Sequence, residues 1–198
     1  MSAKIAVIYY SATGNVHKLA MEVVAGAEEH GAEVRLRRAP ETAPREAIES
    51  RDEWREHVDT VASEIEEATN DDLDWADGLA LGSPTRYGSV TSQLQSFIDQ
   101  TGPLWQEGKL ADKAATAFTS SQTAHGGLET TIVSVHNTFT HWGSIIVPPG
   151  YTDPVMFESG TPYGAAFASG SGGPSDAVRK AARHQGARLA RFAALLAA

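Results

Sequence analysis

An apolar run, Ile5-Ala6-Val7-Ile8-Tyr9-Tyr10, passes directly into Ser11-Ala12-Thr13-Gly14-Asn15-Val16. A strand that ends in small hydroxyl residues and a glycine lets backbone N–H groups turn inward. A helix opening at the same place aims its partly positive N-terminus at the same spot. That is chemistry for holding an anion.

The loop carries neither the lysine of G-x-x-x-x-G-K-[ST] nor the spacing of G-x-G-x-x-G, so it fits neither nucleoside triphosphates nor the dinucleotide fingerprint. The hydroxyls of Ser11 and Thr13, the Asn15 amide and backbone donors suit the single terminal phosphate of a mononucleotide such as FMN. The alternative is a plain strand-to-helix turn in which Ser or Thr only caps the helix. Two further segments share the same small, hydroxyl and glycine character: Ser83-Pro84-Thr85-Arg86-Tyr87-Gly88 and Thr119-Ser120-Ser121-Gln122-Thr123-Ala124-His125-Gly126-Gly127. Pro84 fixes a φ angle and Gly88 permits close backbone approach, so this loop can lie against a planar ring. Arg86 near N1 and O2 of a flavin would stabilise the charge of the reduced ring. The other reading of this segment is a turn with a surface arginine.

The elements that must position these loops alternate along the chain. Strands are predicted near 4–10, 33–38, 78–82, 114–118 and 144–147, with helices near 15–30, 92–98, 127–141 and 175–196. This alternation predicts an α/β chain: a flavodoxin-like, doubly wound, five-stranded parallel sheet of order 2-1-3-4-5 with helices on both faces. Its crevice opens beyond the C-terminal ends of the first and third strands. The reading is one domain over residues 1–198, with insertions at about 40–74, holding one amphipathic helix, and at about 148–174, a long loop.

Composition narrows the chemistry. The chain has no cysteine, which excludes disulfides, thiolate metal sites and cysteine nucleophiles. Sixteen basic against twenty-five acidic side chains give a net charge of −9, so no nucleic-acid partner is expected, and Arg35, Arg37 and Arg38 read as a solvated edge. The seven histidines show no metal-ligand spacing, and no metal is expected. No apolar run is long enough to span a bilayer and the start has no signal-peptide layout, so a cytoplasmic protein is expected.

Tyr9-Tyr10-Ser11, Pro84-Thr85-Arg86-Tyr87-Gly88, Phe97-Ile98-Asp99-Gln100-Thr101-Gly102-Pro103-Leu104-Trp105, His125-Gly126-Gly127-Leu128-Glu129-Thr130-Thr131 and Gly160-Thr161-Pro162-Tyr163-Gly164-Ala165 resemble the signature segments of the WrbA family. The resemblance runs from about residue 4 to the final helix. It implies a flavodoxin-like NAD(P)H:quinone oxidoreductase with FMN held at Ser11 to Val16, at Thr85 to Tyr87 and at Ser120 to Gly126. It further implies that His141 lies near the flavin and that Trp105 stands in the wall of the quinone and nicotinamide pocket. A nicotinamide contact is implied at Thr13, where many members carry an aromatic or other residue instead. The family also implies a homotetramer whose active sites lie close to subunit contacts, with NADH or NADPH as donor. On the residues alone, Trp105 reads as core, the usual place of a tryptophan, before it reads as a pocket wall, and His141 reads as a helix-end dipole partner. The competing functions are a single-electron carrier and a non-catalytic interaction module.

Overall fold

The computed structural model of the chain describes residues 2–197. Strand β1 (Lys4–Tyr9) leads through the Ser11 loop into helix α1 (Asn15–Glu29), and β2 (Glu33–Arg38) follows. Helices α2 (Arg45–Glu49), α3 (Asp52–Thr60) and α4 (Asn70–Trp75) precede β3 (Gly78–Pro84); α5 (Ser92–Asp99) and α6 (Gly102–Gln106) precede β4 (Ala114–Ser121). After α7 (Leu128–Trp142) come β5 (Ile145–Ile146), α8 (Val155–Ser159), β6 (Ala166–Ala168) and the long helix α9 (Asp176–Leu196).

All strand pairs are parallel, in the order β2-β1-β3-β4-β5, which is the predicted order. The expected count of five strands is corrected to six. β5 pairs with the start of β4, Ala114 opposite Ile145, and β6 pairs with its end, Thr119 opposite Ala166, so two short strands share one position in the sheet. The segment expected as a long loop at 148–174 therefore holds α8 and β6. A three-residue strand in a Gly- and Pro-rich stretch carries no readable period; the free edge of β4 holds it in place. The segment at 40–74 likewise holds three short helices and a 3-10 turn (Ala62–Glu64) rather than one amphipathic helix.

Side chains alternate between the two faces along β1. Ala6, Ile8 and Tyr10 join Leu79, Leu81, Leu94, Phe97, Ile132 and Phe139 on one face. Ile5, Val7 and Tyr9 join Leu19, Val23, Phe118, Leu189 and Ala193 on the other. Both faces are covered, which is why these strands read as continuous apolar runs. The basic cluster on β2 is paired rather than simply solvated: Arg35 and Arg37 both reach the buried Asp72, Arg37 also meets Glu66, and Arg38 meets Glu67.

Helices α1 and α9 cross in backbone contact. A Cβ on Gly26 would lie 1.9 Å from the Arg183 carbonyl oxygen, and one on Gly186 would lie 2.0 Å from that of Val23. Nearby, the fully buried Gln185 accepts the Ala165 N–H at 2.7 Å and donates to Thr116 Oγ1 at 2.6 Å and the Ala117 carbonyl at 2.8 Å. One side chain thus ties α9 to β4 and to the approach of β6.

The insertion is seated on the sheet by two residues. Glu41 accepts hydrogen bonds from Tyr10 Oη at 2.8 Å, Gln93 Nε2 at 2.7 Å and Trp54 Nε1 at 3.3 Å. His57, on α3, is buried with Nε2 unpartnered, and its Nδ1 lies 3.4 Å from where a Cβ on Gly14 would stand. Burial, then the charges of His17 and Lys18, push its pKa down from 6.5 to about 4.

Gly186→Ala should destabilise the fold by about 1–3 kcal/mol, because forced separation of packed backbones outweighs alanine's roughly 1 kcal/mol helix advantage. Gly102→Ala, whose Cβ meets nothing within 4 Å, should stay within about 0.5 kcal/mol of the parent; thermal unfolding of both checks this. For His57, the unfolded chain binds a proton below about pH 6.5 that the folded chain refuses until about pH 4. Its contribution is therefore complete above pH 6.5 and lost as pH falls through that window, on the order of 2 kcal/mol by pH 4.5. Urea unfolding at pH 7 and 4.5 should show this loss shrinking in His57→Phe, and an unchanged loss would refute the assignment.

Candidate functional site

The loop after β1 ends on Gly14, which adopts a left-handed conformation (φ 80°) and opens α1 with no side chain capping the helix and no acidic residue in its first turn. The capping alternative for Ser11 or Thr13 is therefore not what the chain adopts. Thr13 Oγ1 instead accepts from Asn15 Nδ2 at 3.2 Å. Ser11 Oγ is buried and has no hydrogen-bond partner. A buried hydroxyl left unpaired costs about 1–3 kcal/mol, so this loop is built with its donors held for something else. The free N–H groups of an uncapped helix start act in the same direction.

The loop after β3 is a tight reversal. Arg86 and Ser89 exchange backbone hydrogen bonds at 2.8 and 3.0 Å, and both central residues are left-handed, Tyr87 at φ 53° and Gly88 at φ 82°. Two consecutive positive φ angles are the pattern of a type I′ turn. A bulky residue pays strain in this region, and Tyr87 nonetheless holds its ring entirely in solvent. Thr85 secures the turn: its N–H donates to the Ser120 carbonyl at 2.8 Å, and its Oγ1 accepts from the Gly88 N–H at 3.1 Å and from Thr131 Oγ1 at 2.8 Å. The loop after β4 folds back through Gly126 N–H to the Thr123 carbonyl and ends on Gly127 (φ 95°). A Cβ on Gly127 would stand 2.8 Å from Gly88 Cα, so glycines let these two loops touch.

One groove receives all three loops. It is lined by Ser11, Ala12, Thr13 and Asn15, by Pro84, Thr85 and Arg86, and by Ser120, Ser121, Gln122, Thr123 and Gly126, joined by Arg51 and Ser169. Twelve predicted site residues thus meet there. Gly14, Val16, Tyr87, Gly88, Ala124 and His125 do not form its wall. Gly14, Gly88 and the buried Val16 shape the backbone beneath it, while Tyr87, Ala124 and His125 are exposed at the loop tips. Arg51 enters from the start of α3, and Ser169 follows β6, donating from Oγ to the Ser121 carbonyl at 2.9 Å. Both come from the two segments read as insertions. Arg51 left one signal in the sequence, a cation immediately before Asp52-Glu53 at a helix start, where an uncharged or acidic cap is favoured.

Trp105 and His141 are brought to each other but not to this groove. The Trp105 indole Nε1 donates to the His141 carbonyl at 2.9 Å, and the indole is more than half exposed. Both lie at the far end of α7, whose 15 residues separate them from the groove by about 22 Å at 1.5 Å per residue. Within one chain, then, these two residues do not line the groove. The reason is topological: α7 starts at the C-terminal edge of the sheet and runs to the opposite edge.

Comparison with known proteins agrees with this geometry. Residues 3–153 match the family model of NADPH-dependent FMN reductases. An NAD(P)H dehydrogenase (quinone) of Deinococcus radiodurans is 42% identical over 98% of this chain and 96% of its own length. Another of that name, from Sinorhizobium fredii, is 43% identical over 98% and 99%. Among solved structures, a WrbA-like flavodoxin from Agrobacterium tumefaciens superposes with a TM-score of 0.68 at 23% identity, covering 98% of this chain and 99% of that one; at that identity it speaks for the fold. A match over three quarters of the chain, together with relatives above 40% identity over nearly its whole length, settles the kinship: the chain belongs to the NADPH-dependent FMN reductase family, among its WrbA-type NAD(P)H dehydrogenases (quinone).

Proposed function

We propose that the three-loop groove holds FMN and that the protein uses it to reduce quinones with NADH or NADPH. The observation that carries this is the donor set: an orphaned Ser11 hydroxyl, an uncapped helix start and two arginines, with no carboxylate among the groove's described lining residues. A phosphate dianion fits such a lining. The Pro84-to-Gly88 turn and the short side chains of Ser120, Ser121 and Thr123 with Gly126 leave room for a planar ring system.

Ser11 to Val16 would hold the phosphate, Pro84 to Gly88 and Ser120 to Gly126 the ring. FMN held there would supply two-electron redox chemistry between a nicotinamide donor and a quinone. Arg86, in the groove lining, would supply positive charge toward the reduced ring. The Tyr87 ring, presented by a strained backbone, offers a flat apolar surface to an incoming aromatic substrate. Nicotinamide and quinone would take turns in the same space, which makes the kinetics ping-pong.

Trp105 and His141 contribute only if a second copy of the chain brings them to the groove. The indole is exposed, pinned through its N–H and positioned on the opposite edge of the sheet, which suits a wall lent to a neighbour. The homotetramer, a cytoplasmic setting and a single domain with insertions at 40–74 and 148–174 are parts of this same reading. No helix among the described residues is long and apolar enough to cross a membrane.

Anaerobic NADH added to the FMN-loaded protein should bleach its visible absorption, and benzoquinone should restore it; a flavin that NADH leaves oxidised would overturn the proposed reaction. Trp105→Ala should keep FMN while quinone turnover falls by about tenfold or more. Mixing it, after dissociation and reassociation, with the groove-defective Gly14→Val should recover part of the lost activity if sites are shared between copies. Strictly additive residual activities would place Trp105 outside the site.

A further inference from the structure

Arg51 stands out once every arginine is accounted for. Of the eleven in the chain, Arg35, Arg37, Arg38, Arg45, Arg55, Arg179 and Arg183 are ion-paired. Arg188 and Arg191 lie over the Phe192 ring. The remaining two, Arg51 and Arg86, have no carboxylate partner among the described residues, and both line the same groove. Arg86 belongs to the ring-side turn. Arg51 belongs to the inserted helix α3 and sits with Ser11, Thr13 and Asn15 around the anion loop.

Its position is locally unfavourable. Arg51 is the N-cap of α3, in an extended conformation (φ −136°, ψ 113°) and with no side-chain capping bond. A cation at the positive end of a helix opposes the helix dipole, and Ser, Thr, Asp or Asn would serve better as cap. Such a breach of local preference is expected where a residue is held for a ligand. The helix that carries it is fixed against the loop by the buried His57, on the Gly14 side. Glu53 and Glu56 line the outward continuation of the groove with Lys18, beyond the inner lining around Ser11.

We propose that Arg51 recognises the phosphate of the bound flavin mononucleotide, supplying from the insertion the cation that the lysine-free loop lacks, and so selects phosphorylated flavin over riboflavin. This rests on the flavin reading above and deepens it. A guanidinium offers two parallel donors to phosphate oxygens, a geometry an ammonium lacks.

The test is fluorescence titration of FMN and of riboflavin into the full chain freed of flavin, for wild type, Arg51→Gln and Arg51→Lys. Arg51→Gln should bind FMN about tenfold to a hundredfold more weakly, with riboflavin affinity within about twofold, as expected of a ligand that never meets this charge. Arg51→Lys should recover part of the loss, and added salt should weaken FMN binding more in wild type than in Arg51→Gln. Unchanged FMN affinity in Arg51→Gln, or an equal loss for both flavins, would overturn the proposal while leaving the flavin reading intact. A wild-type chain that binds neither flavin would instead overturn the reading on which the proposal stands.

Discussion

Parallel pairing obliges each strand to send its chain back across the sheet before the next can begin, and here the direction of that return reverses between β1 and β3. β1 lies between β2 and β3, with Ile5 opposite both Val34 and Gly78. The connections from β1 and β3 therefore leave toward opposite faces, and the space between them at the C-terminal edge has no helix across it. Everything at the groove follows from that opening. The Ser11 loop, the Pro84 turn and the Ser120 loop are neighbours because their strands are, although they come from segments far apart in sequence.

An opening becomes a site only if its walls stay still, and glycine contacts do much of that. Gly88 and Gly127 let the second and third loops touch, and Thr85 and Thr131 lock the contact with hydroxyl hydrogen bonds. Below the sheet edge, the α1–α9 crossing at Gly26 and Gly186 holds the helix that begins at the anion loop. Tight backbone contact of this sort permits little sliding, since interiors close-pack and resist small displacements. The loop donors can therefore wait unpaired because the elements beneath them leave no easy way to collapse onto them.

How far the sequence reached follows from where its signals are strong. Strands buried on both faces are apolar runs, so β1, β3 and β4 were legible from Ile5 to Tyr10, Gly78 to Gly82 and Ala114 to Phe118. The three loops were legible because strand order places them together. The inserted helices were not: α2 and α3 are short and charged, held by Glu41 and His57 through contacts that carry no period. β6 was hidden for a related reason, since Ala166–Ala168 becomes a strand only by pairing with β4. Arg51 and Ser169 reach the groove from those same two segments. Trp105 shows the opposite limit, for a motif fixes that the indole is exposed at a helix end but not which groove it faces.

Charge is the last constraint. A chain with net charge −9 must draw anionic nicotinamide and flavin phosphates against its own overall field, which is screened beyond about 8–10 Å at ordinary salt. The distribution of acids settles the conflict. None lines the inner groove among the described residues; Glu53 and Glu56 stand with Lys18 on its outward continuation, and Glu41, Asp59 and Glu67 face a neighbouring cavity of about 350 Å³ that Ser11 also lines. The inner lining at the Ser11 loop then presents the helix start and two arginines without a carboxylate partner among the described residues. The insertion brings both signs of charge to this edge: Arg51 to the inner lining, and Glu53 and Glu56 to the outward continuation of the groove.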